Sequence, residues 1–376
     1  MALIFFLNVM ARIILAPLMP TVEKDLSIGH GEAGSLFLLI SVGFCPVLLA
    51  SGYFSSRLTH RKTIILSATA LGIALLGISY SNSLWGIRLG LIFLGMAAGL
   101  YLPSGIATLT SMVASRHWGK ALAIHELAPN LSFVVAPVVA EAFLGWFSWR
   151  GVIALLGGAS LFVGMVSARF GRGGEFAGEA PNLRSFKALL ADSNFRILVV
   201  LFCLAVSASM GIFAMLPLYL VTERAMDQNQ ANTLIALSRI SGLGMAFIAG
   251  WVVDRFGPRW TLSGIFLLTG LTTVMLGITH GYWMRVIIFI QPALAVCFFP
   301  AGFSALALIG PPATRNLGVS LSIPVAFLYG AGAVPIGIGI AGDAGSFSLG
   351  IIVVGVVIFA GLIFSLRLRF PSEKQI

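Results

Sequence analysis

Charge is scarce in this chain. Asp, Glu, Lys and Arg make up 10% of the 376 residues, where a soluble domain carries about a quarter. Hydrophobic residues make up 58%, and the mean hydropathy is +1.00. An ordinary soluble α/β enzyme is excluded on these grounds. Cysteine is also scarce. Cys45, Cys203 and Cys297 all fall inside apolar runs, without the spacing of a metal site or the loop position of a disulfide. They read as small buried apolar side chains. Of the five histidines, His30, His60, His117 and His280 fall at span ends or loops, and only His125 lies inside a span. That leaves no paired-histidine metal centre and no nucleophile–acid–base cluster, so neither a metal nor an enzyme is expected. No G-x-x-x-x-G-K-[ST] loop occurs, which argues against direct use of ATP, and no cofactor is expected.

What the chain has instead is long apolar runs. A helix crossing the hydrocarbon core needs about 20 mostly apolar residues. Charged or turn-rich punctuation divides the sequence into twelve candidates: 2–20, 33–55, 63–80, 84–112, 120–143, 151–168, 197–220, 231–253, 260–279, 283–309, 317–341 and 347–366. The longest link, Arg169 to Arg196, is polar and glycine-rich. It separates an N-terminal six-helix half, 1–168, from a C-terminal one, 197–376, with 169–196 as a central link. The first span lacks a basic leader and a small-residue cleavage site and contains Arg12, so it reads as a retained helix. Its missing basic tail fits a start upstream of Met1.

The net charge of +10 would suggest nucleic acid in a soluble protein. Here its distribution explains it. With the N-terminus inside, 16 of the 23 Lys and Arg residues fall on cytoplasmic segments, among them Arg184, Lys187, Arg315 and Lys374. Only Lys24, Arg150 and Arg224 fall outside, while Arg12, Arg88, Arg239 and Arg285 lie within spans. The positive-inside rule then puts both termini and the central link in the cytoplasm, and no nucleic-acid partner is expected.

Landmarks recur at a nearly constant offset. Pro20 and Pro217, Arg88 and Arg285, and Pro103-Ser-Gly105 and Pro300-Ala-Gly302 are each 197 residues apart. Gly52 and Gly250, and Pro137 and Pro335, are 198 apart. Six spans separate the copies, an even number, so both halves have the same orientation. They are parallel repeats about an axis along the membrane normal.

The loop after the eighth span reads Gly250-Trp-Val-Val-Asp254-Arg255-Phe-Gly257-Pro-Arg259. It resembles the signature loop of the major facilitator superfamily, G-x-x-x-D-R-x-G-x-R-[RK], in every position but the last, which is Trp260. Its repeat partner, Gly52-Tyr-Phe-Ser-Ser56-Arg57-Leu-Thr59-His-Arg61-Lys62, keeps the first glycine and the basic residues but has Ser56 for the acid and Thr59 for the second glycine. Phe147-Ser-Trp149-Arg150-Gly151 is similar to the W-R link before the sixth helix of many members. The resemblance implies an all-α integral membrane transporter of about twelve helices. It also implies alternating access by rocking of the halves, with these loops as cytoplasmic latches, and a working monomer.

Ionisable groups within spans are candidates for a cavity or a partner. Arg88 and Arg285 are repeat counterparts near the outer helix ends, where snorkelling suffices. Arg12 and Arg239 lie near mid-span and have no symmetric partner, their counterparts being Ser209 and Ser41. A guanidinium fork suits a carboxylate or phosphate, so one arginine from each half could clamp an anion. In the family, helices one, four, seven and ten line the cavity, with two, five, eight and eleven at its sides. An arginine in the eighth helix resembles the binding position of several organic-anion members. The competing reading is an internal ion pair, for example with Glu126. Glu126 and His125 are candidates for a coupling proton. Glu141 reads as a rim charge. The amides Asn8, Asn130 and Gln291 either line the cavity or bond neighbouring helices. Helix eleven, with Gly330, Gly332, Gly337 and Gly339 around Pro335, is built to bend or slide.

The expected function is secondary transport of a small organic anion, by proton coupling or exchange, in a bacterial inner membrane. The alternative is a proton-driven exporter of a hydrophobic or cationic compound, with Glu126 as counter-charge. A membrane-embedded enzyme or a sensor is a remote third reading.

Overall fold

The computed structural model of the chain describes residues 1–178, 189–309 and 315–370. Residues 179–188 of the central link, with Arg184 and Lys187, lie outside the described residues, as does Lys374. The described elements are helices, with no strands. In chain order they are α1 (Ala2–Leu26), α2 (His30–Leu58), α3 (His60–Tyr80), α4 (Leu84–Met112), α5 (Trp118–Leu144), α6 (Trp149–Phe170) and α7 (Ser193–Thr222). A 51-residue helical stretch, Gln228–Ile278, follows and turns back at Gly257, whose φ of 74° and ψ of 161° no helix accommodates. This divides it into α8 (228–256) and α9 (258–278). Only glycine holds such a φ without strain. Then come α10 (Gly281–Ala307), α11 (Gly318–Asp343) and α12 (Phe347–Leu366).

Eleven described stretches are long and apolar enough to cross a membrane, one of them, Ile248–Ile278, running across the break at Gly257, and with α8 and α9 counted apart the described helices of membrane length number twelve. The expected spans 84–112 and 347–366 coincide with α4 and α12, and the others differ by a few residues at their ends. The main difference is at Pro20, which does not end α1; the helix runs through it to Leu26. Polar residues after the apolar run continue the helix, and membrane helices tolerate a proline where local adjustments satisfy the freed carbonyl.

The sequence repeat reappears as geometry. α4 is interrupted at Leu100 and α10 at Cys297, 197 residues apart, each three residues before its proline (Pro103, Pro300). A proline ring crowds the carbonyl four residues back and removes one backbone donor, which accounts for both breaks. At the position matching Gly257, Thr59 holds φ at 87°. There a β-branched residue bears strain that glycine would not.

Three repeat-related contacts join the halves: α1 with α7, α2 with α11, and α5 with α8. At the end of the helices far from the termini, this seam is closed. A Cβ on Gly34 would lie 2.5 Å from Pro335 O, and one on Gly339 would lie 2.2 Å from His30 O, so only glycine permits α2 and α11 to meet there. Asp343, at the end of α11, accepts hydrogen bonds from the first backbone N–H groups of α2, His30 at 2.7 Å and Gly31 at 2.9 Å. A carboxylate suits a helix N-terminus, where donors are otherwise unpaired. Glu141, near the end of α5, accepts from Asn232 Nδ2 at 2.6 Å and Asn229 Nδ2 at 3.2 Å at the start of α8. The expected rim charge is therefore a cross-half acceptor. Asn232 Nδ2 and Gln228 Nε2 also each donate to Pro17 O at 3.1 Å.

Near the termini, the signature-loop side chains bond to their own half or to the central link. Arg61 pairs with Glu175 at 2.8 Å and donates to Ala168 O, while Arg259 donates to Leu366 O. Arg57, Lys62, Asp254 and Arg255 are exposed. Gly52 is half-buried, and Gly250 has nothing within 4 Å of where a Cβ would be.

Candidate substrate site between the two halves

Midway along the helices, two small adjoining cavities lie along the seam. The first holds Arg12 and is walled by α1, α2, α7 and α11; the second holds Arg239 and is walled by α5, α7, α8 and α10. Met210 of α7 lines both, as a shared partition.

Each guanidinium is held in the same way. Arg12 Cζ lies 4.6 Å from the Phe44 ring centre and 5.3 Å from that of Phe327, and these two rings meet across the halves at 5.2 Å. Arg239 Cζ lies 4.7 Å from Phe213 and 5.1 Å from Phe133, which meet edge to face across the halves at 4.9 Å. One cluster draws on α1, α2 and α11, the other on α7, α8 and α5, the helices the repeat equates. The roles are exchanged between helices. Arginine stands on α1 and phenylalanine on α2 in one cluster, phenylalanine on α7 and arginine on α8 in the other. That exchange is why neither arginine has an arginine counterpart in the sequence.

Arg239 is 7% exposed, and its Nη2 donates to Ser209 O at 3.2 Å while its Nε has no partner. Residues Ser207–Gly211 form a π-helical turn, which leaves carbonyls free of the regular ladder. Arg239 takes one of these, and Gln291 Nε2 takes Ala208 O at 2.9 Å. Arg12 is half-buried and donates from Nε to Asn8 O at 3.4 Å. Among the described residues neither arginine is in an ion pair, so the internal pair with Glu126 is not formed. Glu126 is 57% exposed and lies beside His125. Aromatic faces offset only part of the loss of hydration, and each buried guanidinium keeps donors for a further acceptor.

The other candidates divide. Asn130 joins Arg239 in the second cavity, its Nδ2 donating to Glu126 O at 2.9 Å. Asn8 lies outside both arginine cavities and bonds Ala98 O at 3.1 Å, beside the break in α4. Gln291 also lies outside them and ties α10 to α7 and α9 through Ala208 O and Thr273 Oγ1. His125 is 2% exposed and stacks on Phe5 with ring centres 4.4 Å apart. Its Nε2 is 3.0 Å from the Tyr101 hydroxyl, which itself donates to Met1 O at 2.9 Å. The hydroxyl proton being used, His125 Nε2–H is the donor of that pair. Nδ1 is then a bare acceptor without a hydrogen-bond partner, 3.8 Å from the Glu126 carboxylate. Of the outer arginines, Arg88 pairs with Glu32 and lies over Trp85, while Arg285 is exposed.

The phenylalanines and the Asp343 and Glu141 contacts were not singled out in the sequence. In a chain so rich in phenylalanine an aromatic stripe carries no signal of its own. The counterparts of the two arginines, Ser41 and Ser209, each line an arginine cavity.

Twelve membrane-length helices, a parallel two-fold repeat and a central polar-in-apolar cavity define a multi-pass membrane carrier. The model of the Major Facilitator Superfamily matches residues 1–249 and, in a second match, 198–376, so the chain belongs to that family. It is a transporter, not an enzyme. Similar proteins include a Na(+), Li(+), K(+)/H(+) antiporter of Planococcus maritimus, 21% identical over 68% of each chain. Another is multidrug resistance protein MdtL of Klebsiella pneumoniae, 22% identical over 68% of this chain and 66% of its own. A gallate transporter of Pseudomonas putida is 20% identical over 69% and 65%. The chain thus spans about two thirds of the length of these relatives. Among solved structures, a bacterial homologue of the human lysosomal transporter Spinster superposes with TM-score 0.84 at 15% identity, covering 97% of this chain and 94% of the other. A POT family transporter superposes with TM-score 0.78 at 15% identity, covering 96% and 94%.

Proposed function

We propose that the protein is a secondary active transporter that works by alternating access and carries a small organic anion by proton coupling or exchange. It does so as a monomer in the cytoplasmic (inner) membrane, with both termini in the cytoplasm. The observation that carries this reading is the pair of mid-membrane arginines, one from each half, each facing a cavity without an acid to neutralise it. A charge at this depth is costly to keep unpaired, and a carboxylate arriving between the halves relieves both sites. Substrate binding then draws the halves together, which is the work of a rocking carrier.

His125 and Glu126 are the proton pair of this reading. His125 Nδ1 takes the proton, and the new imidazolium then faces the Glu126 carboxylate. A proton-driven exporter of hydrophobic or cationic compounds is the second reading, favoured by the exposure of Glu126 and the aromatic cavity walls.

The deciding experiment is thermal unfolding of the purified protein against a panel of carboxylates, inorganic anions and lipophilic cations, on wild type, Arg12→Ala and Arg239→Ala. A ligand at 100 times its dissociation constant adds about 2.7 kcal/mol. Anions are expected to stabilise the wild type and not the folded arginine variants. Stabilisation by cations alone, retained in both variants, overturns the reading in favour of the exporter.

A further inference from the structure

We infer that the anion this site takes is an aromatic carboxylate, a benzoate-like acid with few hydroxyls, rather than a hydroxylated aliphatic or sugar acid. This rests on the anion reading above and narrows it. The two guanidinium groups contrast with everything else around them. Of the eleven residues lining the Arg12 cavity, only Arg12 and Ser41 are polar, and the Ser41 hydroxyl already donates to Phe37 O at 3.2 Å. The Arg239 cavity adds Asn130 and Ser209 as its other polar side chains, with Asn130 Nδ2 and Ser209 Oγ bonded to their own helix. A hydroxyl-rich acid entering here finds only the Ser41, Ser209 and Asn130 oxygens as acceptors, and each hydroxyl left buried without a partner weakens binding. A flat aromatic body loses nothing of the kind.

The clusters also offer such a body aromatic faces beside a cation. In each, a guanidinium lies against one ring from each half, and the two rings touch across the seam. A planar ring entering between them exchanges one aromatic contact for two, while its carboxylate takes the guanidinium edge. Arg239 supplies a built donor, buried and with Nε unpartnered. Met210, unbranched and shared by both cavities, is the adaptable wall between them.

The test uses the full chain in detergent and measures binding of benzoate, phenylacetate, lactate, gluconate and benzyl alcohol. Benzoate and phenylacetate are expected to bind at least about tenfold more tightly than lactate and gluconate, from the burial of one ring. Benzyl alcohol, which keeps the ring and lacks the charge, is expected not to compete. Phe44→Leu and Phe327→Leu, which keep apolar volume and both arginines, should narrow the ratio of benzoate to lactate affinity. If lactate or gluconate bind as tightly as benzoate, the inference falls and the anion reading stands. If benzyl alcohol competes as well as benzoate, or no carboxylate binds at all, both fall.

Discussion

The two ends of this helix bundle are built from similar materials and behave differently. Far from the termini, the halves are stitched together by carboxylates. Asp343 of the C-terminal half caps α2 of the N-terminal half, and Glu141 of the N-terminal half receives two amides at the start of α8. The repeat relates these two contacts, since α11 corresponds to α5 and α2 to α8. Near the termini, the charged groups are more numerous, yet Arg61 bonds to its own half and the central link and Arg259 to its own half, while Arg57, Asp254 and Arg255 are exposed. Charge by itself therefore does not hold the halves together. A carboxylate aimed at an opposing helix start does: Asp343 accepts from otherwise unpaired backbone donors of α2, and Glu141 accepts from side-chain amides at the start of α8, whose backbone donors Asp227 caps. The structure is one end state, closed at the far end, in which the signature loops are not engaged.

The comparison can be broken most strongly at Gly339. Gly339→Val forces a branched side chain against His30 O and should disfavour the closed far end by about 3 kcal/mol or more. Gly337→Val, on the same helix with nothing within 4 Å, should be near neutral. The readout is the rate at which a membrane-impermeant thiol reagent labels a cysteine introduced at the far end of the seam. Next in size are Asp343→Ala and Glu141→Ala, each expected to weaken the closure by about 1–3 kcal/mol and to raise the same labelling rate. Being at separate contacts, their effects should add in the double variant. Thr59→Gly should stabilise the protein by about 1 kcal/mol by relieving the positive φ, read as a small rise in melting temperature. The smallest stability effect belongs to Asp254→Asn and Arg255→Gln. With both side chains exposed, each should change stability by less than about 0.5 kcal/mol. Transport rate should nevertheless fall if these residues latch the opposite state.

Much of this architecture could be read from the residues. Hydropathy gave the twelve spans, because membrane helices must be apolar over a fixed length. The 197–198 offset pointed to a pair of like-oriented halves, while the matched breaks in α4 and α10 beside Pro103 and Pro300 emerged only in the structure. The loop between α8 and α9 is visible in the sequence as the signature motif, and the structure adds that its Gly257 holds the positive φ of the turn. Other features depend on tertiary neighbours and left no local trace. Glu141 looks like a rim charge until α8 of the other half is brought beside it. Asn8 and Gln291 are amides in apolar runs like Asn130, and only the packing separates helix-tying from cavity-lining. The depth and asymmetry of Arg12 and Arg239 were visible, but their aromatic holders were not, since each holder combines helices from both halves.

The account's central claim is that the two ends are coupled, so that opening one closes the other. The most direct test is a pair of spin-label distance measurements, Asn82 to His280 at the far end and Ser56 to Phe256 near the termini, in wild type and in the Asp343→Ala Glu141→Ala variant. The account predicts that the far-end distance lengthens while the termini-end distance shortens in the same molecules. A far end that opens with no change near the termini would contradict it, leaving two independent seams instead of one rocking carrier.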